Sequence, residues 1–248
     1  MKLTTLSKGF SLALLLTLGT PLVASESVHW SYSGEGAPAN WGKLDTKFHT
    51  CSEGVNQSPI NLTAFTKSEL AEIPFNYKAS STEILNNGHT VQVNFEEGSS
   101  IEVDGIKFEL KQFHFHTPSE NNINGTSFPL EAHFVHASKD GELAVVALMF
   151  EEGEENKILA KLWNKMPMKA GEKHELKLSD ATDFLPKEKD YYRFNGSLTT
   201  PPCTEGVRWI VLKKTTTLSK AQQEVFLKVL GHANNRPIQK TNARLIAE

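Results

Sequence analysis

Gln112-Phe113-His114-Phe115-His116-Thr117-Pro118-Ser119-Glu120 is the stretch whose reading decides the fold. Alternate residues of a β-strand project from one face, so His114 and His116 point one way and Phe113 and Phe115 the other. Two imidazoles on one face, backed by two phenyl rings, are half a metal site on a packed strand. Upstream, Ile106, Phe108 and Leu110 share the parity of Gln112, His114 and His116, while Lys107, Glu109 and Lys111 take the other. The facing therefore changes near Gln112. If the register holds, the strand runs from a half-exposed end into a part buried on both faces; a bulge would break that parity.

A second stretch, Glu131-Ala132-His133-Phe134-Val135-His136, offers a third ligand. Gln112 lies two residues before His114, and Glu131 two before His133. Each is placed to accept the ring N–H that its histidine does not use for metal, which fixes tautomer and orientation. A buried Glu131 needs such a partner in any case. His136 has the opposite parity to His133 and is left out. Three imidazoles with an open fourth corner are a catalytic zinc set, whereas any one of these histidines alone would be read as structural.

The surrounding chain reads as β-rich. Val91, Val93 and Phe95 alternate after a turn at Leu85-Asn86-Asn87-Gly88-His89, and Ile101 and Val103 lead to the hairpin dipeptide Asp104-Gly105. Runs from Glu131 to Ser138 and Leu143 to Phe150 flank Asp140-Gly141, and Trp209 to Leu212 is a buried strand. Glu151, Glu152, Glu154 and Glu155 are expected at a helix start, where the dipole favours anions, ahead of Ile158, Leu159, Leu162 and Trp163. Ser219 with Gln222 forms a capping-box signature. The segment from Val28 to Trp41 is aromatic-rich and irregular. No repeat, linker or low-complexity segment divides the 248 residues, so one domain is expected.

With 39% hydrophobic and 22% charged residues and a formal net charge of −3, the composition is globular and carries no basic stripe, which disfavours nucleic acid as a partner and favours small molecules. Residues 1–24 read as an export signal: Lys2 and Lys8, an apolar run from Phe10 to Leu18, then small residues at Val23-Ala24-Ser25. The apolar run is short for a membrane span, a retained anchor being the alternative. A mature domain over residues 25–248, periplasmic or secreted, is the expectation, with no stable membrane anchor and a homodimer left open. In an oxidising compartment Cys51 and Cys203 suggest one disulfide, worth on the order of 5 kcal/mol for so long a loop; two free thiols are the alternative.

Taken together, Gln57-Ser58-Pro59-Ile60, Asn86-Asn87-Gly88-His89, Gln112 to Glu120, Glu131-Ala132-His133, Leu143-Ala144-Val145 and Gly196-Ser197-Leu198-Thr199-Thr200-Pro201-Pro202 resemble, in order, the α-class carbonic anhydrases of the exported bacterial type. The resemblance covers nearly all of the mature chain. It implies a mainly β (α+β) fold, a large twisted, mostly antiparallel sheet of about ten strands with short peripheral helices, and zinc at the foot of a conical cavity. It implies the reversible hydration of carbon dioxide to bicarbonate and a proton by a zinc-bound hydroxide, with His114, His116 and His133 as ligands.

Residue by residue, Thr199 matches the acceptor for that hydroxide, passing its own proton to Glu120, and Thr200 matches a position that orders water and bicarbonate. Val135, Val145, Leu198, Val207 and Trp209 match the apolar wall where carbon dioxide rests. His89 matches the proton shuttle, a role suited to a group titrating near neutrality, and Asn87 and Gln92 line the water path. Cys51 and Cys203 match the disulfide of exported members, and a cis bond between Pro201 and Pro202 is implied. Thr117 and Asn121 depart from the pattern of animal relatives, which carry tryptophan and histidine there. Two rivals are a non-catalytic binding module on the same fold, disfavoured by the three intact histidines, and a zinc hydrolase, disfavoured by the absence of a His-Glu-x-x-His helix.

Overall fold

The computed structural model describes residues 28–178 and 181–248; the leader read over residues 1–24 lies outside them. Along the described chain the strands are β1 (Asn61–Leu62), β2 (Phe75–Asn76), β3 (Ser81–Asn86), β4 (Val91–Phe95), β5 (Ser100–Val103), β6 (Ile106–His116) and β7 (Asn122–Ile123). They continue as β8 (Leu130–Ala137), β9 (Leu143–Glu152), β10 (Lys173–Glu175), β11 (Tyr191–Ser197), β12 (Glu205–Leu212) and β13 (Thr216–Leu218). Four short helices, α1 (Trp41–Leu44), α2 (Thr50–Glu53), α3 (Lys157–Trp163) and α4 (Lys220–Leu230), lie around them.

Eleven strands form one sheet in the order β10-β3-β4-β6-β8-β9-β12-β11, with β5 bridging β2 and β6 and β13 alongside β9. Its pairings are antiparallel except those of β12 and β13 with β9, so the expected large, mostly antiparallel sheet is what forms. The β5–β6 hairpin turns on Asp104 and Gly105 with φ of 55° and 72°, the double positive φ that a two-residue loop of this hand requires. In α4 the Ser219 Oγ accepts the Gln222 N–H and Gln222 Oε1 accepts the Ser219 N–H, closing the capping box read from the sequence.

Two sequence expectations are corrected. The first concerns β6. Its register against β8 shifts between Leu110 and Gln112, leaving the exposed Lys111 as the extra residue of a bulge. Phe108 and Leu110 therefore lie in the same core cluster as Phe113 and Phe115, not on the histidine side. An unbroken pleat would have put Phe108 and Leu110 on the face of His114 and His116; the extra residue keeps all four apolar groups on one face and turns Gln112, His114 and His116 to the other. The second concerns the acidic run. Glu151 and Glu152 end β9, Glu154 and Glu155 lie in the connection, and α3 begins after Asn156, whose Oδ1 accepts the N–H groups of Ile158 and Leu159. The Asn156 cap meets two of the free N–H groups at the helix start, and the first turn of the helix carries no acidic residue.

The core divides along the sheet. Ala144, Val146, Leu148 and Phe150 of β9 join one cluster with Phe113, Phe115 and Phe134, while Val145, Ala147 and Met149 join a second with Val207, Trp209 and Val211. A central strand covered on both faces needs an unbroken apolar run, which is how β9 reads. The aromatic arm is anchored by rings: Trp41 is fully buried, packs with Trp30 and Tyr32 beside Cys51 and Cys203, and donates its indole N–H to the Ser31 and Gly36 carbonyls.

Candidate metal centre and active site

Antiparallel pairing sets His114 of β6 directly opposite His133 of β8, with His116 two residues further along β6. One ring nitrogen from each of the three lies within 4.8 Å of the others. The remaining ring nitrogens are all engaged. His114 Nδ1 donates to Gln112 Oε1 at 2.8 Å, His133 Nε2 to Glu131 Oε1 at 2.8 Å, and His116 Nδ1 to the backbone carbonyl of Asn234 at 2.7 Å. These acceptors fix the tautomers, leaving Nε2 of His114 and His116 and Nδ1 of His133 as lone-pair donors toward one another. His116 Nε2 is buried with no hydrogen-bond partner, an arrangement that costs free energy unless something occupies the nest. Burial holds all three rings below the usual imidazole pKa, helped for His114 and His133 by the neighbouring rings, so they stay neutral as ligands must. The donor set and the orphaned nitrogen fit zinc.

Glu131 is the most completely paired buried carboxylate of the site. Oε2 accepts the N–H groups of Glu120 (2.7 Å) and Asn121 (2.9 Å), and Oε1 accepts Asn121 Nδ2 (2.8 Å) as well as the His133 ring. Glu120 is equally buried. Its Oε1 accepts the Arg236 N–H at 2.8 Å, and its Oε2 lies 3.4 Å from His116 Nε2 and 3.9 Å from His133 Nδ1. Burial pushes its pKa well up; the Arg236 backbone N–H at Oε1 and the nearby Thr199 hydroxyl act the other way, while Oε2 has no hydrogen-bond partner among the described residues. Thr199 is buried in the loop that follows β11. That loop is braced by the Cys51–Cys203 disulfide, by Cys203 N–H to Thr200 O (2.8 Å) and by Leu198 N–H to Thr204 O (2.9 Å), and its Pro201–Pro202 bond is cis.

The five residues read as an apolar wall come together in one cluster: Val145, Val207 and Trp209 are buried, with Val135 and Leu198 packed against them. The Trp209 ring meets His133 edge to face at 4.9 Å, joining wall to nest. His89 sits on the turn between β3 and β4, where Asn87 Oδ1 accepts the N–H groups of His89 and Thr90. Its ring stacks flat on Trp30, with centroids 3.7 Å apart and planes 7° from parallel. Burial first, then His29 and His232, lower its pKa. Asn87 and Gln92 touch only at 3.4 Å, and Gln92 also donates to Asn94 at 2.7 Å.

The two departures, Thr117 and Asn121, serve this shell. Thr117 N–H donates to Asn234 Oδ1 and its hydroxyl to Pro129 O, while Asn121 clamps Glu131 and accepts the Ile60 N–H. Sequence reasoning missed Asn234 and Arg236, which read as polar loop residues between α4 and Pro237. Arg236 is almost wholly buried: its guanidinium donates to Gln57 Oε1, Ser58 O and Cys51 O. A buried Arg needs that many acceptors, and no local pattern announces them. Trp30 belonged to the arm recognised as ring-anchored, but its partner His89 lies far along the chain.

Residues 36–248 match the family model described as eukaryotic-type carbonic anhydrase. The chain is 49% identical over 221 residues to a carbonic anhydrase of Neisseria gonorrhoeae, covering 89% of this chain and 88% of that one. Among solved structures it resembles the α-carbonic anhydrase of Thermovibrio ammonificans, in complex with the inhibitor sulfanilamide, with a TM-score of 0.88 at 45% identity over 90% of this chain and 100% of the other. A hyperthermostable carbonic anhydrase identified from a hydrothermal vent chimney matches with a TM-score of 0.87 at 53% identity, over 89% and 99% of the two chains.

Proposed function

From the premise that the chain belongs to the eukaryotic-type (α) carbonic anhydrase family, and so is a lyase of the carbonate dehydratase kind, we propose that it hydrates carbon dioxide reversibly to bicarbonate and a proton with zinc as cofactor. The observation that carries the reading is the nest of His114, His116 and His133, whose outer nitrogens are all hydrogen-bonded and whose inner nitrogens converge. Zinc held there would supply a Lewis acid that brings the pKa of a coordinated water to about 7, a value for which carbonic anhydrase is itself the reference case.

The protein's own groups do the rest. Thr199 gives its hydroxyl proton to Glu120, so its oxygen faces the site as an acceptor and orients a donor there. Gln112 and Glu131 hold their imidazoles as neutral ligands, and Asn121 keeps Glu131 in place. The apolar wall of Val135, Val145, Leu198, Val207 and Trp209 suits an uncharged substrate that a charged clamp would not bind, and Thr200, half-buried at the loop, orders water and bicarbonate. His89, neutral near pH 7 and half-buried, accepts the departing proton and passes it to solvent, with Asn87 and Gln92 along its path.

The site of action we propose is the periplasm or beyond, with residues 1–24 removed as a leader and 25–248 retained. The Cys51–Cys203 disulfide supports an oxidising compartment, and no helix among the described residues is long and apolar enough to cross a membrane.

Stopped-flow hydration of carbon dioxide with and without a zinc chelator tests the reading: activity should vanish with the metal and return with added zinc, and equal rates would end it. His114→Ala should lose zinc by metal analysis. His89→Ala should lower kcat in weak buffer by about tenfold or more while leaving kcat/KM nearly unchanged, and imidazole in the buffer should restore it. Full kcat in His89→Ala would mean that protons leave by another route.

A further inference from the structure

The β4–β6 ladder pairs Gln92 with His114, Val93 with Phe113 and Asn94 with Gln112, and goes no further. Beyond it β6 continues to His116, while the other chain turns away through Thr90 and His89. The carbonyls of Phe115 and His89 therefore need donors from elsewhere. The side chain of Asn234, fully buried, supplies them: Nδ2 donates to Phe115 O at 2.9 Å and to His89 O at 3.1 Å. Its Oδ1 accepts the Thr117 N–H at 2.8 Å, its backbone carbonyl accepts the His116 ring at 2.7 Å, and its backbone N–H reaches Thr117 O at 3.2 Å. One amide thus spans the strand end that carries His116 and the turn that carries His89. Thr90 adds a tie through its hydroxyl to the Phe115 carbonyl.

The His89 ring itself is held by stacking on Trp30. A flat stack fixes the plane of a ring but lets it slide, so the distance between His89 and the three histidines depends on where the turn is anchored. We infer that the Asn234 side chain is a positioning residue for proton transfer, setting the His89 turn against the end of β6 where His116 lies. The inference rests on the reading of His89 as the relay. It separates two roles within one residue: the backbone carbonyl orients a metal ligand, and the side-chain amide places the relay.

Asn234→Asp and Asn234→Ala divide these roles. Both keep the backbone carbonyl for His116. Asn234→Asp also keeps an acceptor for Thr117 and the original shape, but puts an oxygen where Nδ2 donated to two carbonyls. Zinc content by metal analysis should stay at wild-type stoichiometry in both. In weak buffer kcat should fall about tenfold with kcat/KM within about twofold, because only the proton step depends on His89 placement. Imidazole should restore kcat, and amide hydrogen exchange should quicken over residues 86–90. In a His89→Ala background the second change should cost less than about twofold in kcat.

Wild-type kcat and unchanged exchange in Asn234→Asp, alongside a slow His89→Ala, would overturn the inference and leave the relay reading standing. Loss of zinc with a parallel fall in kcat and kcat/KM would overturn it too, by showing that the residue serves the metal ligand alone. Full kcat in His89→Ala would remove the relay reading and this inference with it. Asn234→Asp, isosteric with the native amide, carries the test if Asn234→Ala does not fold.

Discussion

At the residue scale, the site rests on which atom donates to which. Glu120 accepts the Arg236 backbone N–H, with the Thr199 hydroxyl nearby, and the proposed mechanism requires it to be an acceptor for Thr199, so that the Thr199 oxygen presents a lone pair to the site. Glu120→Gln keeps the volume but introduces an NH₂ that competes with one of those donors. We expect kcat/KM to fall by about 10²–10³ with zinc content unchanged, the range seen when one preorganised polar contact of an active site is removed. Wild-type kcat/KM in that variant would show that Thr199 does not depend on a carboxylate. Asn121 and Thr117 make the same point from the other side. Both look like losses against a family pattern, yet each satisfies a buried group, Asn121 at Glu131 and Thr117 at Asn234 and Pro129.

At the element scale, β6 carries the decisive device. Its bulge at Lys111 lets one strand keep Phe108, Leu110, Phe113 and Phe115 on the core side while aiming Gln112, His114 and His116 at the other. Deleting Lys111 would restore an unbroken pleat, so either the histidines or the upstream apolar pair would face the wrong way. Metal analysis and thermal unfolding should then show lost zinc binding, a lower Tm, or both; Lys111→Ala, which keeps the chain length, should bind zinc normally. Strand β8 carries a different burden. His136 faces away from the nest, with Nε2 2.7 Å from the Tyr77 hydroxyl, and burial drives its pKa from 6.5 to about 3 against the backbone groups of Ala144 and Phe134. The unfolded chain binds a proton near pH 6.5 while the folded chain refuses it until about 3, so stability falls as pH drops through that window. The contribution lost by pH 5 is about 2 kcal/mol. His136→Gln, which does not titrate, should lose less stability than the parent between pH 7 and 5 in urea denaturation. Parallel profiles for the two proteins would refute this account.

At the scale of the whole molecule, the site is closed by contacts between distant parts of the chain. Cys51 and Cys203 are separated by 152 residues, and the Arg236 guanidinium reaches the Cys51 carbonyl while the Arg236 backbone N–H holds Glu120. Gln57 Nε2 in turn donates to Cys203 O. Cross-linking so long a loop removes on the order of 5 kcal/mol of unfolded-state entropy, an upper figure in practice. The double variant Cys51→Ser/Cys203→Ser should therefore unfold at a markedly lower temperature and lower urea concentration. Its zinc content at 25 °C should be less affected than its stability, because the three candidate ligands lie on β6 and β8 and not on the segments that carry the two cysteines. A variant that lost zinc while keeping its Tm would contradict that division.

The pair His114 and His116, the third candidate ligand His133, and the acceptors Gln112 and Glu131 were legible in the sequence because they share strands of period two. The pleat makes same-face neighbours of residues two apart whatever the rest of the chain does. The hairpin at Asp104-Gly105 and the cap of α4 were legible for the same reason, being settled within a few residues. Only the tertiary structure decided the bulge at Lys111, since its presence depends on which face of β6 the core covers. It alone supplied the acceptor for His116, 118 residues away at Asn234, and the stack of His89 on Trp30. Those contacts come from the path of the backbone through space, and no local period encodes them. The candidate ligands, with the tautomers of His114 and His133, are thus a property of two strands, while the tautomer of His116, the support of Glu120 and the placement of His89 belong to the closed fold.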